Sequence, residues 1–173
     1  MTGVPDLSTL ADKIAIQELV RTYCRAVDRL DVPLGRSVFH DDSHADYGAT
    51  YQGPGRDVID LICRQHLGLA SHSHQVTNIL VEIDGNRAGS ESYVTATMRM
   101  ERDGALRQLG VWARYLDAWE RRDDRWAIMR RMVVYDHEEV RDVTPMGQQI
   151  RARRDAEDPS YQFLTSRAWG QPA

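Results

Sequence analysis

The strongest constraint on the fold is a change in the spacing of apolar residues near residue 70. Before that point, apolar side chains recur about every 3.6 residues, which is typical of amphipathic helices. After it, a period of two runs through four segments: HQVTNILVEI, ESYVTATMRM, LRQLGVWARYLDAWE and RWAIMRRMVVYDHE. The connections DGN, RDGA and RRDD are rich in turn formers, so four sequential antiparallel strands are predicted. Helices followed by such a meander indicate an α+β domain in which helices cover one face of a curved sheet.

The first half of the chain contains three predicted helices. Residues 8–30 form a long amphipathic helix behind the capping segment DLST. The segment LGRSVFHDD predicts a short second helix, and SHADYGATYQG predicts one or two short strands. A third helix is expected to begin at Pro54, because proline is favoured in the first turn of a helix. Its inward stripe consists of Val58, Ile62, His66 and Leu69.

The last two predicted strands carry mostly apolar residues on both faces. In one strand the two alternating sets are Trp112, Leu116 and Ala118 against Val111, Ala113, Tyr115 and Trp119; in the other they are Ile128, Met132 and Val134 against Ala127, Met129, Val133 and Tyr135. A sheet with one face in water would alternate more cleanly. Because the sequence provides few spare helices, we expect a partner subunit to cover the second face.

Length and composition limit the classes of function. A chain of 173 residues with 42% hydrophobic content suits one globular domain. The formal net charge of −4 gives no attraction for nucleic acid or for an acidic membrane surface. Lys13 is the only lysine and lies at the start of the first helix, which disfavours imine chemistry. Cys24 and Cys63 are too few for a disulfide framework and favour a reducing compartment.

Several common signals do not occur in the sequence. It has no phosphate-binding loop, serine-hydrolase elbow or HExxH motif, which disfavours nucleotide and serine-hydrolase chemistry. The start, MTGVPDLSTL, lacks a secretion signal, and no stretch is long and apolar enough to span a bilayer, so a cytoplasmic protein is expected. Residues 1–143 are assigned to the domain. Residues 144–173 are assigned to a polar C-terminal tail with a short helix and a poorly ordered end.

Two segments carry residues suited to acid–base chemistry. In YCRAVD, Tyr23 lies within the inward stripe of the first helix, and Asp28 lies at the edge of that stripe. Inward and outward positions of Asp28 agree equally well with the helical period, and Tyr23 equally fits a core aromatic residue. In SHSHQVTN, His72 and His74 lie where the third helix meets the first long strand.

These residues can be interpreted either as metal ligands or as an acid–base pair that needs no metal. Metal binding by the two histidines would need a third ligand, such as His44 or Asp46, and nothing in the spacing fixes a tetrahedral site. Alternatively, Asp28 accepts a hydrogen bond from Nδ1 of His74, which fixes the tautomer and leaves Nε2 as a base. An inward carboxylate needs such a partner, because burying an unpaired charge is costly. We therefore expect no metal and no cofactor.

The ordered set of these segments resembles a known family over about residues 8–140. The first helix with Tyr23 and Asp28, then FHDDSHADYGATYQG, HQVTN and GVWARYLDAWERRDDRWAIMRRMVVYD, is similar to the SnoaL-like branch of the nuclear transport factor 2-like superfamily. The similarity is greatest to the group containing scytalone dehydratase, bile acid 7α-dehydratase and hexachlorocyclohexane dehydrochlorinase. It implies a cone-shaped α+β barrel, with N-terminal helices on a strongly curved, mostly antiparallel sheet, a deep apolar pocket and usually a trimer.

The resemblance also implies roles for individual residues. Asp28 and His74 correspond to the catalytic dyad of that group, and Tyr23 falls where the dehydratase carries a tyrosine. Arg131 falls at a pocket arginine of the dehydrochlorinase, and Tyr47 matches a pocket tyrosine of the dehydratase. From its strand neighbours alone, Arg131 must either pair inward with a carboxylate or an anionic substrate group, or extend to the surface at a subunit interface.

The expected function is a cofactor-free lyase of the dehydratase type acting on a small hydrophobic ring compound. His74 would remove a proton, Asp28 would hold and charge its imidazole, and Tyr23 would assist the leaving hydroxyl. An isomerase or polyketide cyclase using the same pocket is the enzymatic alternative. A ligand-binding or scaffold subunit without activity is the alternative of another class, and an unpaired Asp28 and His74 would favour it. The expected partners are this substrate and two further copies of the chain, with neither nucleic acid nor a membrane.

Overall fold

The computed structural model describes residues 6–145 and 152–164. The first half of the described chain contains three helices: α1 (Leu7–Arg29), α2 (Val32–Ser37) and, after two strands, α3 (Asp57–Leu67). The predicted cap of α1 is confirmed, because the Asp6 carboxylate accepts a hydrogen bond from the backbone N–H of Thr9 at 2.7 Å. None of the helices in these residues is long and apolar enough to cross a membrane.

Six strands form a single open, curved sheet. They are β1 (Phe39–Asp46), β2 (Gln52–Pro54), β3 (Ser71–Asp84), β4 (Arg87–Arg102), β5 (Ala105–Arg122) and β6 (Arg125–Asp142), in the order β2-β1-β6-β5-β4-β3. The predicted four-stranded meander is confirmed as β3 to β6, with antiparallel neighbours throughout. Among the strands of the described residues, β1 and β6 form the one parallel pair. The α+β class is therefore confirmed. The sheet is not closed into a barrel, and the helices cover its inner face.

The start of α3 differs from the prediction. Pro54 does not open the helix; it ends β2, where it is paired with His44 of β1 and its carbonyl accepts the Tyr51 hydroxyl at 2.8 Å. Since β2 is an edge strand, a residue without a backbone N–H is tolerated there. The helix begins three residues later, and Val58 and Ile59 are its fully buried residues.

The main core lies between α1 and the inner face of the sheet. The largest fully buried side chains are Trp119, Arg131, Tyr23, Phe39 and Ile16. The pairing of β5 with β6 has two irregularities, after Trp112 and after Ala118, and at each of them the additional residue is on β6, Asp136 and Met129 respectively. Irregularities of this kind increase local twist and bend a strand. They lie in the centre of the sheet, where curvature creates room for a cavity under the helices.

The outer face of the sheet is less apolar than predicted. Trp112 stacks on His137 with ring centroids 4.4 Å apart, and Leu116 is half-buried. Between them lies Arg114, which forms ion pairs with Glu91 and Asp136. The face thus combines apolar patches with a charged cluster. Its coverage by a partner subunit stays a prediction.

Part of the predicted tail packs against the helices. Residues 152–164 include a short helix, α4 (Ser160–Phe163), as predicted. Asp158 forms an ion pair with Arg29 at 3.2 Å, and the Tyr161 hydroxyl donates to Asp31 at 3.2 Å. This part of the tail is therefore held on the helix layer. The domain boundary at residue 143 and the poorly ordered end, which falls at residues 165–173, stay predictions; those last residues lie outside the described part of the chain.

Candidate active site

Asp28 and His74 meet where the last turn of α1 faces the start of β3. The Nδ1 atom of His74 lies 2.7 Å from Oδ1 of Asp28, and the backbone N–H of His74 donates to Oδ2 at 3.1 Å. The side chains are largely buried, with 8% of His74 and 16% of Asp28 exposed. The structure thus places Asp28 inward, which the helical period alone left open.

The pairing fixes the tautomer of His74. A carboxylate only accepts hydrogen bonds, so Nδ1 of the neutral imidazole must carry the hydrogen. The other nitrogen, Nε2, then holds a lone pair, and the His74 ring lines a cavity. This arrangement is that of a positioned base whose orienting group is a carboxylate.

A second histidine ties the same strand to the same helix. His72 lies two residues before His74, on the same face of β3, and its Nε2 atom is 3.1 Å from the carbonyl oxygen of Val27. Since a carbonyl only accepts, Nε2 of His72 is the donor. Two side chains of β3 therefore bind consecutive residues at the end of α1, and they hold the dyad in register.

Two phenols face each other in the same cavity. The hydroxyl oxygens of Tyr23, on α1, and Tyr47, just after β1, are 2.7 Å apart. Burial raises the pKa of Tyr23 well above its usual value, and burial also raises the pKa of Tyr47, although nearby Arg131 offsets part of that effect. Both phenols therefore stay protonated near neutral pH. One hydroxyl of the pair donates to the other, and the remaining hydroxyl hydrogen can be donated to a ligand.

Arg131 lies beneath this pair. Its guanidinium is fully buried and forms two hydrogen bonds of 2.7 Å with the equally buried Asp117. It also stacks on the rings of Tyr23 and Tyr115, at 4.1 and 4.2 Å from their centroids. Of the two positions that the sequence left open, the inward one is observed. The partner is a carboxylate of the chain, and the arginine supports the residues that line the cavity from behind.

The cavity has a volume of about 560 Å³. Its walls are formed mainly by apolar side chains of β4, β5 and β6: Val94, Ala96, Met98, Leu109, Val111, Ala113 and Val133. His74, Tyr23 and Tyr47, all predicted from the sequence, line it together. Exposed lining residues, among them Thr50, Gln65, Tyr135 and Glu138, mark its opening. The described part of the lining is therefore polar at one end and apolar elsewhere, as is common in small-molecule binding sites.

Sequence reasoning missed His66 and Asp117. His66 is buried on α3, lines the cavity and stacks over His74, with ring centroids 5.8 Å apart. The available signal was a histidine at an inward position of an otherwise apolar helix stripe. Asp117 has a similar signal, because it falls between Tyr115 and Trp119 in the inward set of β5 and lies opposite Arg131 in the β5–β6 register.

The further metal ligands considered in the sequence lie elsewhere. His44 is exposed on β1, and the Asp46 carboxylate accepts the backbone N–H of Gly48 at 2.9 Å. Within residues 6–145 and 152–164, no three histidine, cysteine or acidic side chains are grouped so that they could hold a metal ion. Independence from metals stays a prediction.

Known relatives of the chain agree with the resemblance seen in its sequence. Residues 8–132 match the family described as SnoaL-like domain. Uncharacterized proteins of Mycobacterium tuberculosis and Mycobacterium bovis are 30% identical over 131 residues, which is 73% of this chain and 86% of each relative.

Solved structures show the same architecture. A hexachlorocyclohexane dehydrochlorinase from Novosphingobium barchaimii has a TM-score of 0.69 at 18% identity, covering 84% of this chain and 98% of that chain. A candidate scytalone dehydratase from Novosphingobium aromaticivorans has a TM-score of 0.67 at 21% identity, covering 82% and 97%. These likenesses show a nuclear transport factor 2-like fold. Together with the match over residues 8–132, they lead to one conclusion: the chain belongs to the SnoaL-like domain family.

Proposed function

We propose that the protein is a cofactor-free lyase that eliminates water from a small hydrophobic ring compound. The observation that carries the proposal is the Asp28–His74 pair, with its 2.7 Å contact, at the polar end of an apolar cavity. The enzymes named among the structural neighbours, a dehydrochlorinase and a candidate dehydratase, are eliminating enzymes by their names.

The first step is proton removal. Nε2 of His74 takes a proton from the carbon next to a carbonyl, and the electron pair of the broken C–H bond begins to form the new double bond. The imidazole becomes a cation, which the carboxylate of Asp28 stabilises through the hydrogen bond to Nδ1. A base positioned in this way contributes a rate factor of about 10² to 10⁴.

The second step is departure of the hydroxyl group. The carbon–oxygen bond on the neighbouring carbon breaks, and the oxygen leaves with the bonding electron pair. The protonated pair Tyr23 and Tyr47 donates a hydrogen bond to that oxygen. The proton held on His74 completes the water molecule, so the enzyme returns to its starting state without any cofactor.

The cavity also favours an uncharged substrate. Glu138, at the opening, is the only carboxylate or cationic side chain among its described lining residues, and Arg131 is already paired with Asp117. A substrate carboxylate or phosphate would therefore find no counter-charge at the cavity wall. A neutral ring compound with a carbonyl and a hydroxyl group meets these conditions.

An isomerase is the second candidate. The phenol pair stays protonated, so it can stabilise the negative oxygen of an enolate just as well as a leaving hydroxyl. In that case His74 would return the proton to another carbon instead of giving it to hydroxide. The paired Asp28 and His74 argue against a binding subunit without activity, for which the two side chains would be expected to lie apart.

The decisive experiment removes the charge of Asp28 without changing its shape. With a cyclic β-hydroxy ketone of the tetralone type as probe, we expect Asp28→Asn to lower kcat/KM for water loss by a factor of about 10² to 10⁴. His74→Ala should fall to a similar level, and the double variant should be little worse than either, because the two residues act as a unit. Formation of the aromatic product is followed by absorbance.

Asp42→Asn is the matched control. Asp42 lies on β1 and is exposed, and its carboxylate pairs with Arg122, away from the cavity lining. This variant should keep wild-type activity. A fully active Asp28→Asn variant would remove the dyad from the mechanism. Isomerised ketone as the product, with no loss of water, would instead support the second candidate.

A further inference from the structure

Two buried imidazole nitrogens beside the dyad lack partners. The rings of His66, on α3, and His72, on β3, lie 4.5 Å apart at an angle of 53°. The Nδ1 atoms of both rings are buried, and neither has a hydrogen-bond partner among the described residues. Because an unpaired buried polar atom is costly, such atoms usually have a structural or functional explanation.

The tautomer of His72 indicates which tautomer of His66 complements it. Nε2 of His72 donates to the Val27 carbonyl, and burial lowers the pKa of His72, so its ring is neutral with a lone pair on Nδ1. The complementary partner for that lone pair is an N–H group. The His66 ring is the nearest imidazole, with ring centroids 4.5 Å apart, so the tautomer of His66 that carries its hydrogen on Nδ1 is the one that complements this lone pair.

The tautomer of His66 then determines what it presents to the cavity. Burial lowers the pKa of His66 to about 3, so the ring is neutral at physiological pH and carries one hydrogen. With that hydrogen on Nδ1, Nε2 holds a lone pair. His66 is among the residues that line the cavity. Because its Nδ1 atom is buried, Nε2 is the ring nitrogen that can contact a ligand there.

We infer that Nε2 of His66 is a hydrogen-bond acceptor for a hydroxyl or N–H group of the ligand, and that His66 thereby determines specificity. The inference deepens the proposed function and rests on it for the cavity being the substrate site. His74 presents a second lone pair in the same cavity, whereas Tyr23 and Tyr47 present a hydroxyl hydrogen. The matching ligand carries a donor group beside the carbon that loses its proton and an acceptor oxygen at the phenol pair.

A matched pair of probes tests this inference without turnover. β-Naphthol and β-methylnaphthalene have the same ring system and differ by a hydroxyl in place of a methyl group. Binding of each is measured by calorimetry or by quenching of protein fluorescence. A neutral hydrogen bond contributes about 0.5 to 1.5 kcal/mol, so the wild-type protein should prefer β-naphthol by about two- to tenfold.

Two substitutions separate the hydrogen bond from the shape of the ring. His66→Phe keeps a planar ring over His74 but has no acceptor, so the preference should disappear while β-methylnaphthalene still binds. His66→Gln can present an amide oxygen near the position of Nε2 and should keep most of the preference. If the Phe variant binds neither probe, the Gln variant decides: retention of the preference supports the inference, and its loss overturns it.

The phenol pair supplies the competing explanation. If Tyr47→Phe abolishes the preference for β-naphthol while His66→Phe keeps it, the hydroxyl binds at the phenols and the inference about His66 is wrong. Asp28→Asn separates this result from the mechanism, because it should lower kcat/KM by a factor of about 10² to 10⁴ and leave the probe preference intact. A preference that depends on His66 in a protein without lyase activity would therefore contradict the proposed reaction and not the acceptor role.

Discussion

Asp28 holds both the main chain and the side chain of His74, one with each carboxylate oxygen. A glutamate would have to place the same two oxygens with one more rotatable bond, and asparagine would offer an acceptor at only one of the two positions. The short acidic side chain at the end of α1 is therefore matched to the start of β3.

His66 also makes stability depend on pH. Its pKa in the folded protein is about 3, chiefly through burial, with further lowering by His72, His74 and Arg154 and a partial offset by Asp28. The unfolded imidazole titrates near its ordinary value of 6.5. Below that value the unfolded chain gains a proton that the folded chain does not. His66 therefore lowers the free energy of unfolding by about 1.4 kcal/mol per pH unit as pH falls from about 6 toward 3.

The corresponding measurement compares two proteins at two pH values. Urea unfolding of the wild-type protein, followed by tryptophan fluorescence, should show a larger loss of stability between pH 6.5 and pH 4.5 than that of His66→Phe. The variant cannot be protonated at this position, so its pH dependence comes from the remaining groups alone. Equal losses in the two proteins would mean that His66 titrates normally in the folded state.

The residues of the site differ in how far the sequence revealed them. The sequence predicts Asp28, His74, Tyr23 and Tyr47 as site residues, and in the structure they form two hydrogen-bonded pairs at one cavity. The direction of Asp28 could not be predicted, because a residue at the edge of a helix stripe turns inward only if a partner on another element receives it. His66 was visible as a polar residue in an apolar stripe, but its neighbours on β3 are set by tertiary packing.

At the scale of elements, the buried pair of Asp117 and Arg131 joins the central strands β5 and β6. The two residues lie directly opposite each other in the register, and both side chains are fully buried. Removing one partner would leave the other charge buried without compensation. We expect Asp117→Ala to lower the free energy of unfolding by about 3 to 5 kcal/mol, measured by urea denaturation.

Two further variants make this expectation specific. The double variant Asp117→Leu with Arg131→Met replaces the ion pair by apolar side chains of similar volume and should recover most of the lost stability. Asp136→Ala removes an exposed carboxylate that pairs with Arg114, and it should cost about 1 kcal/mol or less. An Asp117→Ala variant as stable as Asp136→Ala would show that the buried pair does not hold the two strands together.

Element prediction succeeded where the signal was local and failed where it was not. The turns of the meander contain residues with positive φ, among them Asp103, Gly104, Asp123 and Asp124, within the RDGA and RRDD segments that marked the connections. Pro54 was misassigned because proline is equally acceptable in the first turn of a helix and on an edge strand. The parallel pairing of β1 with β6 has no local signal at all, since it joins segments far apart in the chain.

At the scale of the whole molecule, we propose that the protein is a homotrimer assembled through the outer face of its sheet. Trp112, Leu116, Met132 and Val134 are all half-buried on this face in the single chain, beside the charged cluster around Arg114. Light scattering at micromolar concentration should give the mass of three chains. A monomer under these conditions would contradict the proposal.

A surface substitution tests which face is used. Leu116→Glu places a charge in the centre of the outer face and should give a folded protein of lower mass, because a buried charge without a partner opposes association. Leu7→Glu is the control, since Leu7 is 86% exposed at the start of α1, away from this face. It should leave the mass unchanged. Equal masses for both variants would exclude the outer face as the contact surface.

The parallel pairing of β1 with β6 also sets an order of assembly during synthesis. A ribosome releases α1 and β1 first, yet β1 finds its sheet partner on that side only when β6, the last strand, has emerged. Tyr23 likewise receives the support of Arg131 only then. Until β6 has been made, these segments expose part of the apolar surface that they later bury, and such surface makes an incomplete chain prone to aggregation. The residues of the Asp28–His74 pair and of the phenol pair are thus made well before β6, but the buried arginine behind the phenols is among the last parts of the domain to be added.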